Sequence, residues 1–307
     1  MPTAWRTLAS MSLGLGNRRG CTIGDYFYVC GGDSGGIYQT DHSRYDPTAN
    51  TWSSRTGHPN ADGIGAGGYR SVAGKGYYFG GLYRVSGEAY ASTQCHEYDP
   101  AANTWAVKAS MTLGRLGFGY AADASNIYIA AGQGDPSFGA NNTLERFTPS
   151  SNTWTILNSA VPIHDTNRRE NPAGAVLSGK FYLSGGRAAA ANVSLAKVDV
   201  YDLTAGTWSA AADMPVARTQ HSMWPAQGKL WVAGGGASEA LHSYDPSTNT
   251  WSIELTDMDQ GGINRTSLSN SAHDLLPTSG DLVMAGSGTT EVYAASLIAT
   301  GGWQVGN

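Results

Sequence analysis

The sequence is poor in charge and in lysine. Charged residues make up 14% of the 307 residues, the formal net charge is −5, and only five residues are lysine. A surface that binds a polyanion depends on concentrated positive charge. The composition therefore argues against nucleic acid as a partner.

Cysteine and long apolar runs are also scarce. Cys21, Cys30 and Cys95 are odd in number and lack the spacing of zinc ligands, so we predict three unpaired thiols and no metal or cofactor. No segment has the roughly 20 apolar residues of a membrane span, and the N-terminal residues lack the pattern of a signal peptide. We expect a soluble protein without a signal peptide, either cytoplasmic or assembled into a larger particle.

Glycine, by contrast, is abundant at 41 residues, and the apolar segments are short and alternating, which is typical of an all-β chain. One eight-residue stretch occurs in three close copies. YDPTANTW ends at Trp52, YDPAANTW at Trp105 and YDPSTNTW at Trp251. A chain that repeats itself in this way is built from repeated structural units.

Tryptophan gives the length of the unit. Six tryptophans follow one another at intervals of 53, 49, 54, 43 and 52 residues: Trp52, Trp105, Trp154, Trp208, Trp251 and Trp303. Upstream of each, an apolar strand ends in small residues, at Gly32, Gly81, Gly132, Gly186, Gly235 and Gly288. The spacing predicts six units of about 50 residues.

A glycine doublet after an apolar strand, followed by Tyr-Asp-Pro and Asn-Thr-Trp, resembles the kelch repeat. The resemblance implies an all-β, six-bladed kelch-type β-propeller with four antiparallel strands per blade, named a to d from the central channel outwards. It covers residues 1–307 as a single domain. The last unit departs from the pattern, because Gly286-Ser287-Gly288 replaces the doublet and Tyr293 is not followed by Asp-Pro.

The repeated residues also have a physical explanation. Asp46-Pro47 begins a turn, and Asn50 suits the left-handed position that closes it. The glycine doublets allow strand b to end against a neighbouring backbone. Tryptophan supplies a large apolar ring, so we predict that the first five repeat tryptophans are buried between blades.

Two segments compete for the last outer strand. Trp5 lies in a stretch that resembles a d strand, yet Trp303 already provides one for the sixth unit. The N-terminal strand could lie outside the Trp303 strand, or one could displace the other. We expect closure within the C-terminal unit, with the N-terminal strand packed nearby.

Arginine recurs shortly before strand a in every unit, on the face that carries the d–a and b–c loops. The candidates are Arg19, Arg70, Arg115, Arg169, Arg218 and Arg265, with Arg18 and Arg168 beside two of them. One interpretation is that these side chains brace loop carbonyls or an Asp of the neighbouring blade. The other is that they converge on a carboxylate or phosphate, which planar bidentate donors suit.

The same face has long b–c loops in units one to four, and these loops contain aromatic residues. Tyr38, Tyr83, Tyr90 and Phe138 lie in them. Exposed aromatics on loops that a rigid scaffold holds are suited to peptide or carbohydrate recognition, although ordinary loop packing explains each one singly.

Few residue patterns in the sequence suggest a catalytic site. Histidines lie in or near d–a segments at His58, His164, His221 and His273, with Asp165 and Asp274 beside two of them, but their spacing does not recur. A sugar mutarotase, an activity also found among kelch propellers, would need a few Arg, Glu and His residues at the mouth, and Glu170 beside Arg169 could serve.

The favoured hypothesis is a non-catalytic module that binds a protein segment or a glycan, either of which could be anionic, on a cell-surface or virus-particle appendage. The carbohydrate-active enzyme is the alternative.

Overall fold

A computed structural model of the chain describes residues 5–12, 14–85, 88–134, 139–235, 240–255, 272–275, 281–285 and 292–296. Regular structure in these residues consists of β-strands. None of the described residues belongs to a helix with the length and apolar character needed to span a bilayer. The all-β prediction is confirmed.

Six antiparallel sheets of the described residues have four strands each. Sheet one consists of Arg19–Ile23, Tyr26–Cys30, His42–Asp46 and Thr51–Ser54; sheet two of Gly68–Val72, Lys75–Phe79, Cys95–Asp99 and Thr104–Val107; sheet three of Gly119–Ala122, Ile127–Ala130, Leu144–Thr148 and Thr153–Asn158. Sheet four consists of Ala173–Leu177, Lys180–Ser184, Val198–Asp202 and Thr207–Ala210; sheet five of Ser222–Ala226, Lys229–Ala233, Leu241–Asp245 and Thr250–Leu255. In each of these five sheets the strands lie in chain order, a to d.

The a strands lie innermost. The a strand of each of sheets one to four contacts the a strand of the next sheet, and that of sheet one also contacts Ala272–Leu275 of sheet six. The d strands form the outer edges of the sheets, because each pairs only with strand c in its own sheet. The a strands therefore surround the centre of the molecule.

Sheet six joins the two ends of the chain. It consists of Ala272–Leu275, Asp281–Ala285, Val292–Ser296 and, as its outermost strand, Trp5–Thr7. Our expectation that the C-terminal unit closes on itself is wrong, because the N-terminal strand pairs directly with Val292–Ser296. Trp303 lies outside the described residues.

Register explains why the N-terminal strand fits this place. Trp5 pairs with Ala295 as Trp52 pairs with Tyr45 in sheet one. Ala295 therefore occupies the position of the repeat tyrosine, two residues after Tyr293. The pairing also covers an edge that would otherwise be open to association with other chains.

The b–c loops of sheets one to four fold as hairpins, which stand on the face where strand b ends. Their strands are Asp33–Ser34 with Ile37–Tyr38, Leu82–Val85 with Glu88–Ala91, Gln133–Gly134 with Gly139–Ala140, and Arg187–Ala188 with Val193–Ser194. In sheets three and four the hairpin gains a third strand from the preceding d–a segment, Arg115–Leu116 and Arg169–Glu170. The d–a segments and b–c hairpins thus form one surface, which we call the hairpin face.

The repeated Asn and Trp side chains connect neighbouring sheets. Asn103 has a φ of 55°, and its Oδ1 accepts hydrogen bonds from the Thr56 amide and the Tyr98 hydroxyl, at 3.0 and 2.7 Å. Trp105 Nε1 donates to the Thr56 carbonyl at 2.9 Å. Equivalent side chains hold Ala9, Ala109 and Ala212 in the same way. This arrangement confirms the left-handed asparagine that we predicted for the repeat.

The repeat tryptophans are partly buried rather than fully buried. Trp52, Trp105, Trp154, Trp208 and Trp251 each pack against a cluster of buried core residues. All five lie on strand d, so one side of each ring faces the outer edge of its sheet and retains some contact with solvent.

Candidate functional site

Four backbone hydrogen bonds join the first five sheets in series around the centre of the hairpin face. Each of the first five sheets has, two residues before the start of strand a, a residue with a left-handed φ between 49° and 59°: Asn17, Ala66, Gly117, Asn171 and Gln220. The amide of each donates to the carbonyl of the preceding one, at 3.1, 3.2, 2.7 and 3.0 Å along the series. We call this feature the amide ring. It joins one sheet to the next where the a strands begin.

A small cavity lies within the amide ring. Its volume is about 50 Å³, and it is lined by Gly117, Asn171 and Gln220 of the ring and by side chains that include Arg19 and Arg70. A second cavity, of about 200 Å³, lies further along the a strands and is lined by Arg70, Asp123 and Trp224 among others. Arg70 therefore lies between the two cavities.

Two of the six candidate arginines reach the centre. Arg19 donates from Nε to the Gly67 carbonyl at 2.6 Å, which connects sheets one and two. Arg70 donates to the Gly20 carbonyl at 3.3 Å, and its guanidinium carbon lies 4.6 Å from the centre of the Tyr120 ring. The stacking on an aromatic face is a favourable cation–π contact.

Three other candidate arginines lie inside single sheets instead of at a mouth. Arg115, Arg169 and Arg218 are at most 1% exposed. Arg115 forms an ion pair with Glu145, and Arg169 forms one with Asp199 at 2.6 Å. Burial lowers the pKa of Arg115 and of Arg218 to about 10, because the interior disfavours the charged form.

The remaining hydrogen bonds of these three arginines go mainly to backbone carbonyls of their own sheets. Arg169 alone donates to the carbonyls of Pro162, Leu183, Gly185 and Lys197. Arg218 donates to Gly234 and Ala240 carbonyls and contacts His242. The geometry matches the bracing interpretation for these three residues. Arg265 lies outside the described residues.

Register separates the two groups of arginines. The backbone carbonyls of Arg115, Arg169 and Arg218 accept a hydrogen bond from a glycine at the end of the preceding strand b, and in sheet two this place is taken by Ile64. Each of the four residues lies 17 positions before the last glycine of its own unit, whereas Arg19 and Arg70 lie 13 and 11 positions before it. This constant spacing is a sequence signal that we missed.

The aromatic candidates lie on the hairpins. Tyr83 and Tyr90 pair across the second hairpin with ring centres 5.9 Å apart, and Tyr90 is 42% exposed. Tyr38 is partly buried on the first hairpin, against Gly65 of the next d–a segment. Phe138 lies outside the described residues.

Sequence reasoning missed the aliphatic side chains on the same face. Ile37 and Val193 are 69% and 51% exposed on the first and fourth hairpins. Leu113 and Val216 are 41% and 37% exposed in d–a segments. Their position was not recognised because an isolated apolar residue in a loop carries no periodic signal.

The candidate catalytic side chains described by the structure form hydrogen bonds or ion pairs with other side chains. Glu170 is fully buried and accepts hydrogen bonds from Arg168 and Arg187, one on each carboxylate oxygen. His164 contacts Asp199 at 2.8 Å, and His221 contacts the Ser184 hydroxyl at 2.8 Å. Of His273 and Asp274, the structure describes only the strand position. Within the described ranges, no group of three or more His, Cys, Asp or Glu side chains could hold a metal ion.

Comparison with known proteins agrees with this geometry. Residues 69–276 match the profile of the KLHDC2/KLHL20/DRC7 Kelch-repeats domain, and residues 15–57 match the Kelch motif. The solved structure titled "Structure of YjhT" is similar over 94% of this chain and 95% of that one, with a TM-score of 0.75 and 17% identity. This likeness shows the fold, a kelch-type β-propeller.

Curated relatives agree as well. The chain is 28% identical to the Kelch-like protein terF of Aspergillus terreus over 84% of its own length and 60% of that protein. It is 27% identical to Kelch-like protein 15 of Danio rerio over 54% of its own length and 30% of that protein. The chain thus spans 60% or less of these relatives. With more than half of its residues matched by the domain profile, the chain belongs to the kelch-repeat family.

Proposed function

We propose that this chain is a non-catalytic module that binds a protein segment on its hairpin face. The observation that carries the proposal is the placement of exposed apolar side chains. Five of the eight large apolar residues exposed in the described part of the chain lie on this face: Ile37, Tyr90, Leu113, Val193 and Val216. Apolar groups gathered on one exposed surface are a feature of interaction sites.

The construction of the face supports the same function. Each hairpin of the face extends directly from strands b and c, so the exposed side chains project from a fixed scaffold. Tyr83 and Tyr90 have few rotatable bonds and offer both an apolar ring and a hydroxyl, which suits them to binding another protein. Membership of the kelch-repeat family, with its Kelch-like relatives, fits an interaction role.

The central cavity suits a protein segment better than a separate small molecule. Its volume of about 50 Å³ is well below the roughly 300–1,000 Å³ of small-molecule sites. A single carboxylate side chain of a bound segment could approach Arg70, which is partly exposed there. No feature of the described residues favours a glycan, a mutarotase reaction or a place on a surface appendage over a protein segment.

A phage-displayed library of random 12-residue peptides, selected on the immobilised protein, tests the proposal. We expect the enriched peptides to lose at least about 10-fold in affinity for a Tyr83→Ala/Tyr90→Ala variant, because each buried aromatic contact contributes about 1 kcal/mol or more. A Val107→Ala/Ile156→Ala variant is the matched control, since both side chains are exposed on outer d strands. Equal binding to wild type and both variants, or loss only in the control, would overturn the proposal.

A further inference from the structure

Three buried histidines meet at the boundary between sheets one and two. His42 lies on strand c of sheet one, His96 on strand c of sheet two, and His58 in the segment that connects the sheets. They are 2%, 6% and 3% exposed. The rings of His58 and His96 are 4.7 Å apart, and the rings of His42 and His58 each lie 5.2 Å from Trp105.

The hydrogen bond of the His58 ring requires the neutral form, and the hydrogen bonds of the His42 ring are consistent with it. His42 donates from Nδ1 to the Thr56 carbonyl at 3.2 Å and accepts at Nε2 from the Tyr69 hydroxyl at 3.1 Å. His58 accepts at Nδ1 from the Asn60 amide at 3.3 Å, which places its proton on Nε2. Nε2 of His58 and Nδ1 of His96 have no hydrogen-bond partner among the described residues. A second proton on His58 would point at the Asn60 amide, which is itself a donor, and a second proton on His42 would require the Tyr69 hydroxyl to turn and accept.

The surroundings would not compensate a positive charge. The charge of Arg55 opposes protonation of His42, and the two neighbouring histidines oppose that of His58. Of the other titratable groups packed around the cluster, Tyr28, Tyr69, Tyr78, Tyr98, Cys21 and Cys30 are neutral and Arg44 is cationic. The carboxylates of Asp41 and Asp99 interact with Cys30 and Tyr98, and the causes of the three histidine pKa shifts include neither carboxylate. None of the three histidines forms an ion pair with a carboxylate in the part of the chain that is described.

Burial therefore lowers the pKa of all three side chains. The pKa of His42 falls to about 3, that of His58 falls well below its ordinary value, and that of His96 is also lowered, in each case chiefly because the charged ring would lose its hydration. An exposed histidine titrates near pH 6.5. Below about pH 6.5 the open form of the boundary binds more protons than the closed form, so acid favours opening. Above about pH 6.5 the histidines are neutral in both forms, and the closed form keeps its full stability.

We propose that the boundary between sheets one and two is an acid-sensitive seam, at which protonation of His42, His58 and His96 separates the two sheets before the other boundaries open. The proposal does not depend on the proposed function. His242, which is also buried and has a lowered pKa, lies inside sheet five beside Arg218, so its protonation would act within a different sheet.

The cysteines provide a local test of this opening. Cys21 and Cys30 are buried in the core cluster between sheets one and two, whereas Cys95 is buried in the cluster of sheets two and three. We would label the full chain with 4,4′-dithiodipyridine between pH 7 and pH 4.5 and assign the labelled cysteines by peptide mass spectrometry. Rates would be divided by that of an unfolded cysteine peptide at the same pH.

We expect the labelling of Cys21 and Cys30 to increase on acidification by up to about 30-fold per histidine at pH 5, as a pKa of about 6.5 in the open form requires. Cys95 should stay protected until the whole chain unfolds. His58→Phe keeps an aromatic ring in place but removes one group that can bind a proton. The plot of log labelling rate against pH should therefore become less steep by about one unit of slope. His58→Gln is the second variant if the larger ring impairs folding.

His164→Gln is the matched control, because His164 is partly exposed and paired with Asp199 at another place in the fold. Its slope should equal that of wild type. The seam is refuted if Cys21 and Cys30 are no more reactive at pH 5 than at pH 7. Labelling of Cys95 in step with them, or an unchanged slope in both His58 variants, would refute it equally.

Discussion

Asn103 and Thr56 are joined by two hydrogen bonds across the boundary between sheets one and two. The Thr56 amide donates to Asn103 Oδ1 at 3.0 Å, and the Thr56 hydroxyl donates to the Asn103 carbonyl at 2.6 Å. Because Trp105 also donates to the Thr56 carbonyl, one short segment is held by two neighbouring residues of the repeat. The recurrence of Asn-Thr-Trp in the sequence thus reflects a repeated connection between sheets.

This connection predicts the effect of shortening Asn103. In Asn103→Gly the left-handed backbone conformation stays accessible, but the hydrogen bonds that Oδ1 accepts from the Thr56 amide and the Tyr98 hydroxyl are lost. We therefore expect a loss of about 1–2 kcal/mol in the free energy of unfolding. Asn103→Ala should lose more, because alanine is also disfavoured at a φ of 55°. Urea denaturation measures both. A glycine variant as stable as wild type would show that the two hydrogen bonds of the Asn103 side chain contribute nothing to stability.

Sheet four lacks this asparagine and offers the reverse experiment. Gly206, with a φ of 72°, occupies the place of Asn103, and Trp208 Nε1 has no hydrogen-bond partner among the described residues. A Cβ at Gly206 would approach only the Tyr201 hydroxyl, at 3.6 Å. The Tyr201 hydroxyl donates to the Leu157 carbonyl at 3.1 Å, so in Gly206→Asn the new Nδ2 should donate to the oxygen of that hydroxyl and stabilise the protein by about 0.5–1 kcal/mol.

Gly179 is the matched control for that substitution. It also has a φ of 72° and open space at its Cβ position, but it does not occupy the asparagine place of the repeat. Gly179→Asn reports the backbone effect of replacing a left-handed glycine. If Gly206→Asn raises the melting temperature no more than Gly179→Asn does, the added hydrogen bonds are not formed.

The sequence was sufficient to predict the all-β kelch fold and the left-handed asparagine of the c–d turn, because both follow from local residue patterns. It was not sufficient for the closing strand. The register of sheet six places Ala295 where the other sheets have Tyr or Phe, so the repeat offered no marker by which to pair Trp5 with it. Strand pairing between the two ends of a chain depends on tertiary packing, which a local pattern does not encode.

The arginines show a different limit of the sequence. The sequence has one arginine near the start of each strand a, which suggested six equivalent side chains. Their positions relative to the last glycine of the unit differ by a few residues, and this difference decides whether the side chain lies inside a sheet or at the centre of the hairpin face. Arg115 and Arg70 are examples: the first is fully buried and the second is partly exposed beside the central cavity. Position relative to the glycine doublet, rather than residue type, predicts the environment.

The buried pair of Arg115 and Glu145 predicts a strong dependence on both partners. Arg115→Met leaves the Glu145 carboxylate buried without its ion pair, which should cost about 3–5 kcal/mol. In Arg115→Met/Glu145→Met no charge remains, and we expect much of that loss to be recovered. Chemical denaturation of the two single variants and the double variant measures the coupling. A double variant that is as unstable as the sum of the single changes would contradict the pairing.

The N-terminal strand provides the last prediction. Among the described residues Trp5–Thr7 is paired only with Val292–Ser296, so its removal exposes the edge of that strand in sheet six. Deleting residues 1–7 retains Leu8 and Met11, which are buried against sheet one, and therefore tests the paired strand separately from that core contact. We expect the melting temperature to fall by roughly 5–10 °C, as a loss of a few kcal/mol requires in a chain of this size. Deletion of residues 1–4 is the control, and a synthetic peptide of residues 1–12 added to the longer deletion should restore part of the loss. Identical melting temperatures for the two deletions would mean that the N-terminal strand does not hold sheet six together.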